Sequence, residues 1–254
     1  MMRKFVLAAC VAALAAGAAF AQIALDPANK FTVDWNNRLS TDWPYLARYA
    51  QANAALAPAP KHPRVIFMGD SITENWAKMA PALFTGEQIG RGISGQTSPQ
   101  MLLRFRQDVI DLHPAVVQIM AGTNDIAGNT GPMTAAQTQD NIRSMVELAH
   151  AHGIRVILAS IPPADQFPWK PGLDAANKIV AMNAWLKAYA ARSGSVYADY
   201  WSALRQRNGL GMRDGLSSDH VHPTVAGYAV MQPIAEAAIR RALAMPVPRK
   251  TAVE

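Results

Sequence analysis

The sequence predicts a three-layer αβα sandwich, an α/β fold built on a parallel five-stranded sheet of flavodoxin-like order 2-1-3-4-5. The first observation behind this prediction is that short apolar, β-branched runs alternate with longer helical segments over residues 64–243. Such alternation is typical of βαβ units with right-handed crossovers, which place helices on both faces of the sheet. The second observation is that no internal repeat and no composition boundary splits this stretch, so we expect one domain.

The predicted strands are short runs that end near glycine, proline or polar residues. In chain order they lie over residues 64–68, 87–89, 115–120, 155–159 and 195–198. RVIFM and RVILA, the first and fourth runs, have the apolar composition of strands that are buried on both faces. The second run carries the weakest signal of the five.

The predicted helices lie over residues 44–55, 76–83, 98–110, 134–152, 174–192 and 223–243. Ser98 and Pro99 have the residue types of an N-cap and a first helical position. Gly153 and Gly194 follow two of the helices and predict their ends. Pro223 predicts the start of the last helix.

The first residues have the pattern of a secretory signal. Arg3 and Lys4 precede an uncharged stretch, residues 5–21, that ends in the small-x-small tripeptide Ala-Phe-Ala. This pattern predicts a signal peptide over residues 1–21, cleaved after Ala21. The apolar run is alanine-rich and short for a membrane span, so we expect no integral membrane segment after cleavage and a periplasmic or secreted protein.

The rest of the chain divides into three predicted parts. Residues 22–63 are an N-terminal extension that packs on the core, residues 64–245 are the α/β domain, and residues 246–254 are a flexible tail. The single cysteine, Cys10, lies in the signal, so the mature chain has no disulfide and no cysteine nucleophile. The formal net charge of +6 comes from scattered residues, which argues against nucleic acid as a partner.

Polar residues follow two of the predicted strands, at the edge of a parallel sheet where ligands bind. Ser71 comes after the first strand, where it can be a nucleophile whose own N–H helps to bind an oxyanion; the alternative is a helix N-cap. Asn124 comes after the third strand and offers a neutral NH₂ donor for an oxyanion; the alternative is an Asx-turn or a cap.

A third candidate is the stretch DHVHP at residues 219–223. Asp219 stands three residues before His222, and on a turn this spacing lets a carboxylate reach the imidazole. His220 is an alternative base. A metal site built from all three residues is disfavoured, because three ligands on one turn are awkward and no fourth is evident.

The stretch QIGRGISGQTS at residues 88–98 contains Gly90, Gly92 and Gly95 in the spacing G-x-G-x-x-G of a dinucleotide-binding loop. That function needs an acidic residue at the end of the next strand, but the first acid there is Asp125, inside GTND. The first loop also lacks the Thr/Ser-rich phosphate cradle of a flavin site. We therefore expect no nucleotide cofactor, and Gly90 and Gly92 are expected to let the chain turn off the second strand.

Four blocks, taken together, carry a resemblance to a known family. They are GDSIT at residues 69–73, ISGQT at 93–97, GTND at 122–125 and DHVHP at 219–223. In this order they resemble the GDSL-type esterases and lipases, the SGNH hydrolases, over roughly residues 64–240. The first block departs from the family pattern only in reading GDSI instead of GDSL.

The resemblance implies a serine esterase that needs neither cofactor nor metal. By position, Ser71 matches the family's nucleophile, His222 its base and Asp219 the acid that orients this base. Gly95 matches the residue that adds a backbone N–H to the oxyanion hole, and Asn124 matches the side-chain donor. Residues 64–245 are then the SGNH hydrolase domain.

The resemblance also implies an ester substrate, either a small molecule or a carbohydrate. The sequence contains no long apolar lid, which favours short acyl groups such as acetyl. A lysophospholipase, an O-acyltransferase and a non-catalytic carbohydrate- or lipid-binding module remain alternatives. Trp76 and the loop-like segment 162–172, with Phe167 and Trp169, are expected either to wall the pocket or to belong to the core.

Overall fold

A computed structural model describes residues 30–56 and 60–249, so the predicted signal peptide and residues 250–254 of the tail lie outside the described residues. The strands are β1 (Val65–Gly69), β2 (Gln88–Gly92), β3 (Val116–Met120), β4 (Arg155–Ala159) and β5 (Val196–Ala198). All neighbouring pairs are parallel, and the order β2-β1-β3-β4-β5 confirms the predicted fold class.

Helices cover both faces of this sheet. They are α1 (Lys30–Thr41), α2 (Ala47–Ala54), α3 (Ser71–Met79), α4 (Ser98–Asp108), α5 (Thr123–Ala127), α6 (Ala135–Ala151), α7 (Ala175–Ser193), α8 (Tyr200–Leu204) and α9 (Val225–Ala244). Within residues 30–56 and 60–249, no helix has both the length and the apolar character needed to cross a bilayer.

The side chains of β1 alternate between two buried layers, as the two-residue period of a strand requires. Ile66 and Met68 pack in the cluster that includes buried residues of α4, α6 and α7. Val65 and Phe67 pack in the opposite cluster, which includes buried residues of α3 and α9. The central strand is therefore apolar on both faces, and it carries Ser71 at the end from which the chain leaves the sheet.

The helix after β1 begins five residues earlier than the sequence predicts. Asp70 is its N-cap, and Asp70 Oδ1 accepts the N–H of Ile72 at 2.9 Å. Because this cap satisfies a donor that the helix itself leaves free, the chain can turn from strand to helix within one residue. Ser71 is thus the first residue of α3, and the alternative of Ser71 as the N-cap is wrong.

The expected role of Gly90 and Gly92 as turn residues is wrong, because β2 continues through both glycines. A Cβ on Gly92 would lie 2.2 Å from the backbone nitrogen of Glu74, and a Cβ on Gly90 would lie 3.1 Å from the Cβ of Ala77. Both neighbours belong to α3. The missing side chains therefore let α3 pack directly on β2, which brings the Ser71 loop close to the loop after β2.

Two helix starts differ from the prediction by one or two residues. Thr97, not Ser98, caps α4 through a capping box with Gln100. The last helix, α9, begins at Val225, not at Pro223; Thr224 is its N-cap, and Thr224 Oγ1 accepts the N–H of Gly227 at 3.3 Å. In both cases a threonine hydroxyl or its box partner satisfies the free N–H groups of the first turn.

The segment before β1 contacts β2 and the neighbourhood of α4. Gln96 Nε2 donates to the carbonyl of Pro44 at 2.7 Å, and Gln100 Nε2 donates to the carbonyl of Trp43 at 2.6 Å. The hydroxyl of Tyr49 donates to the carbonyl of Gly92. Side chains of the α/β domain thus satisfy backbone carbonyls of the preceding segment, close to the loop that follows β2.

A fully buried arginine connects the loops after β1 and β2. Arg104 Nη2 donates to the carbonyl of Gly69 at 3.0 Å, and Arg104 Nε donates to Gln96 Oε1 at 2.6 Å. Its charge is balanced by Asp108, which is also fully buried, with Oδ2 at 3.0 Å from Nη1. The rigid, planar guanidinium of Arg104 therefore binds both loops.

We expect Asp108→Ala to destabilise the protein by about 3–5 kcal/mol, because it leaves the buried Arg104 without a counter-charge. Urea unfolding followed by far-UV circular dichroism measures this change. The matched control is Asp111→Ala, which breaks the exposed pair between Arg106 and Asp111, 3.9 Å apart; its effect should stay within about 0.5 kcal/mol. Equal losses in the two variants would contradict the assignment.

Candidate active site

The predicted site residues converge at the carboxyl edge of the sheet. Ser71 follows β1, Gly95 follows β2 and Asn124 follows β3, while Asp219 and His222 lie on the turn before α9. The structure brings Ser71, His222 and Asp219 into direct contact. Asn124 contacts Asp70, which precedes Ser71, and Gln96, which follows Gly95.

The serine and histidine side chains meet in hydrogen-bonding geometry. Ser71 Oγ lies 2.8 Å from His222 Nε2, and His222 Nδ1 lies 2.6 Å from Asp219 Oδ2. An ionised carboxylate only accepts hydrogen bonds, so Nδ1 carries the hydrogen of the neutral imidazole. Nε2 is then free to accept the hydroxyl hydrogen of Ser71.

The turn itself orients the carboxylate of Asp219. Its Oδ1 accepts the backbone N–H groups of Val221 at 3.0 Å and of His222 at 2.8 Å. Ser217 Oγ donates to the same oxygen at 3.2 Å. With Oδ1 engaged by the turn, Oδ2 points at the imidazole, which explains why a spacing of three residues suffices.

The electrostatics of the pair favour a positive imidazole. Burial opposes the charge of Asp219, but hydrogen bonds from His222 and Val221 together with the attraction to His222 hold the pKa of Asp219 below its usual range. Burial also opposes protonation of His222, but Asp219, and more weakly Asp70, raise the pKa of His222 above its ordinary value of 6.5. The site therefore stabilises the imidazolium form.

The amide of Asn124 has a defined orientation and is almost fully buried. Its Nδ2 donates to the carbonyl of Gln96 at 3.0 Å and to Asp70 Oδ2 at 3.3 Å. Its Oδ1 accepts from Asn129 Nδ2 at 2.7 Å. The NH₂ group thus faces the Ser71 loop on one side and the Gly95 loop on the other.

Gly95 occupies a conformation that favours glycine. Its φ is +77°, and a Cβ would lie 2.2 Å from Cη2 of Trp35 on α1. The indole of Trp35 therefore packs directly against Gly95. Trp35 is half-buried, and the guanidinium of Arg38 lies over its ring at 4.3 Å from the centroid.

The loop that carries Gly95 is anchored by Glu74. Glu74 Oε2 accepts the N–H of Ser94 at 2.7 Å and its hydroxyl at 2.6 Å. Burial opposes the charge of Glu74, but hydrogen bonds from Lys78, Ser94 and Arg48 lower its pKa to about 2. The carboxylate is therefore charged at neutral pH and holds the residue just before Gly95 in place.

Asp70 lies next to Ser71 and is almost fully buried, which raises its pKa to about 6. Its contacts with Ile72 and Asn124 are those of a residue that orients the loop. It also places a second carboxylate near His222, which raises the pKa of the imidazole.

Two alternatives from the sequence are not found at the site. His220 points away from Ser71, with Nδ1 at 3.1 Å from Asp165 Oδ1 on the loop after β4. Trp76 is a core residue, fully buried and stacked on Tyr228 at 5.5 Å between ring centroids. In the part of the chain that the structure describes, no group of three or more metal-ligating side chains is arranged around a common point.

The sequence did not predict Asn129, or its contact with Trp169, behind the site. Asn129 contacts Asn124 Oδ1, and Trp169 Nε1 donates to Asn129 Oδ1 at 3.0 Å. Trp169 lies in the 162–172 loop, which is irregular as expected. Asn129 follows Gly128, the C-cap of α5, and carries no motif of its own, so the sequence offers no signal for this contact.

The fold and these groups define the protein as a carboxylic ester hydrolase. The model of the GDSL-like Lipase/Acylhydrolase family matches residues 67–230. The chain belongs to this family, which confirms the resemblance inferred from the four sequence blocks.

Two of the individual relatives have names that agree with this assignment. A candidate acylhydrolase of known structure from Bacteroides fragilis is 48% identical, with 80% of this chain and 99% of that chain covered and a TM-score of 0.77. Esterase TesA of Pseudomonas aeruginosa is 29% identical over 178 residues, which cover 64% of this chain and 80% of TesA. A shorter match, 38% identical over 78 residues, covers 30% of this chain and 32% of the lipoprotein YqeF of Bacillus subtilis.

Proposed function

We propose that the protein is an exported serine esterase that hydrolyses short-chain carboxylic esters, above all acetyl esters of carbohydrates or small alcohols. The observation that carries this proposal is the contact of Ser71 Oγ with His222 Nε2 at 2.8 Å, with Asp219 on the other ring nitrogen at 2.6 Å. This is the arrangement in which a histidine activates a serine hydroxyl.

The proposed reaction has two halves. His222 Nε2 takes the hydroxyl proton while Ser71 Oγ attacks the ester carbonyl, and Asp219 stabilises the resulting imidazolium. The tetrahedral intermediate collapses as the alcohol leaves with the proton from His222. Water, deprotonated by His222, then attacks the acyl-serine, and the acid is released when Ser71 regains the proton.

The oxyanion of both intermediates is held by the N–H groups of Ser71 and Gly95 and by the amide of Asn124. Of the two hydrogens on Asn124 Nδ2, one is held by the carbonyl of Gln96 at 3.0 Å. The other makes the longer contact with Asp70, 3.3 Å, and is the one available to a substrate oxygen. Donors fixed in this way before substrate binds are an efficient source of transition-state stabilisation.

A short acyl group is supported by the contact between Trp35 and Gly95. The indole lies directly against the residue that lends its N–H to the oxyanion hole, so it limits the room on that side of the site. The partly exposed indole also offers apolar surface beside Gly95, suited to an acetyl methyl. One of the relatives, TesA, is an esterase, which supports ester hydrolysis. It does not indicate the alcohol part of the substrate.

We expect chromogenic esters to be hydrolysed most rapidly with a C2 acyl group and progressively less rapidly toward C12. Ser71→Ala should reduce kcat by roughly 10⁴-fold or more, because it removes the nucleophile. Ser144→Ala, a partly exposed position on α6, serves as the control and should leave kcat unchanged.

Equal hydrolysis by the wild type and Ser71→Ala would refute the proposed nucleophile. A wild type that binds esters or sugars without hydrolysing them would point to the binding module instead. Adding a sugar acceptor to the assay distinguishes hydrolysis from O-acyl transfer, because transfer yields acylated sugar.

The raised pKa of His222 makes a prediction about pH. Catalysis needs the neutral imidazole, so kcat/KM should fall as the pH drops through a pKa above 6.5. Asp219→Asn removes the group that raises this pKa, so the acid limb of the profile should move to lower pH while kcat falls by about 10⁴-fold. Asp165→Asn, which faces His220 instead, should leave the limb in place; an unmoved limb in Asp219→Asn would contradict the assignment.

Export is tested separately. We expect the full chain, expressed in a bacterium with a periplasm, to appear in the periplasm or medium with Gln22 as its first residue. Fractionation followed by N-terminal sequencing measures both. A variant without residues 2–21 should remain in the cytoplasm, and an uncleaved full-length product at the membrane would support an anchor instead.

A further inference from the structure

We propose that Asn129 and Trp169 are positioning residues that fix the orientation of the Asn124 amide. The inference rests on the proposed function, in which Asn124 donates to the oxyanion. Two hydrogen bonds carry it: Trp169 Nε1 to Asn129 Oδ1 at 3.0 Å, and Asn129 Nδ2 to Asn124 Oδ1 at 2.7 Å. They link the loop after β4 to the site through a chain of three side chains.

The direction of this chain is set by Trp169. An indole N–H is a donor and never an acceptor, so the atom of Asn129 that faces it must be the oxygen. The NH₂ group of Asn129 is then the one that faces Asn124. A flipped Asn129 would place two donors against each other at Trp169.

The same logic applies one step further along. The atom of Asn124 that meets the Asn129 donor must be Oδ1, so Nδ2 faces the site. There it meets two acceptors, the carbonyl of Gln96 and Asp70 Oδ2. The polarity of every contact is consistent, so the indole N–H on the 162–172 loop and the two acceptors at the site favour the same orientation of the Asn124 amide.

The indole of Trp169 is held firmly enough to do this. It stacks on Phe167 with ring centroids 5.3 Å apart and planes 17° apart, and Phe167 is fully buried. The backbone N–H of Asn129 donates to the carbonyl of Asn124 at 3.0 Å, across the C-terminal end of α5. A side chain between these two anchors has little freedom to rotate.

Removal of Asn129 leaves Asn124 Oδ1 buried without its donor. The amide then keeps only its contacts with Gln96 and Asp70, so it is held less firmly in the productive geometry, and this costs transition-state binding more than ground-state binding. We expect Asn129→Ala to lower kcat by about 10–100-fold, less than the 10²–10³-fold loss from removing an oxyanion donor altogether. KM should change by less than about twofold.

The decisive experiment is a double-mutant cycle with Asn124→Ala, assayed on a chromogenic acetyl ester. If Asn129 acts through Asn124, Asn129→Ala should have no further effect on kcat in the Asn124→Ala background. A merely structural role would lower kcat by the same factor in both backgrounds, and this result would overturn the inference.

Two further variants guard against misfolding. Asn129→Asp keeps the shape and the acceptor for Trp169 but cannot donate when ionised, so it should reproduce the loss in kcat while far-UV circular dichroism shows the fold of the wild type. Trp169→Phe keeps the stacking on Phe167 and removes only the donor, and it should lower kcat in the wild type but not in Asn129→Ala. Trp185→Phe, whose indole stacks on Tyr189 at 5.0 Å, is the matched control and should leave kcat unchanged.

The failure of this inference differs from the failure of the proposed function. If Ser71→Ala and Asn124→Ala retain wild-type turnover, the esterase mechanism itself is wrong, and the positioning role is refuted with it. If both lose activity while Asn129→Ala is additive with Asn124→Ala, the mechanism stands and only the positioning role is refuted.

Discussion

The hydrogen bond between Ser71 and His222 joins side chains 151 residues apart. The rest of the fold fixes the positions of these two side chains. Ser71 is fixed by the strand-to-helix turn that Asp70 caps. The histidine turn precedes α9, and the buried hydroxyl of Tyr228 on α9 donates to the carbonyl of Ile72 at 2.8 Å. Trp76 stacks on the same tyrosine, so this tryptophan packs α3 against α9 and does not contact the site directly.

The loops around the site are held by charges that would be costly to bury alone. Glu74 fixes the residue before Gly95, and Arg104 fixes the carbonyl before Asp70 together with Gln96. Each charge has an opposite partner: Lys78 and Arg48 for Glu74, and Asp108 for Arg104. Apolar packing alone would leave loop backbone groups unsatisfied, whereas these side chains satisfy them and set one geometry.

The sequence predicted the elements that have a local residue pattern. It did not predict the short helices or the contacts that depend on tertiary packing. The strand RVILA coincides with β4, and the end of α7 at Gly194 follows from glycine's freedom to adopt a positive φ. α5 and α8 are five residues each, too short to show a helical period, and neither was predicted. Asn129 could not be assigned either, because its significance depends on Trp169, 40 residues away.

The glycines of QIGRGISGQTS show how one spacing can arise from different causes. In a dinucleotide site, the first two glycines shape the phosphate loop and the third allows a helix to pack on the strand. Here the roles are reversed, since Gly90 and Gly92 admit α3 against β2 and Gly95 provides the positive φ. The loop N–H of Ser94, of the kind a phosphate would require, is already bonded to the carboxylate of Glu74. Glu74 therefore occupies a donor that a phosphate would need, which disfavours a dinucleotide at this loop.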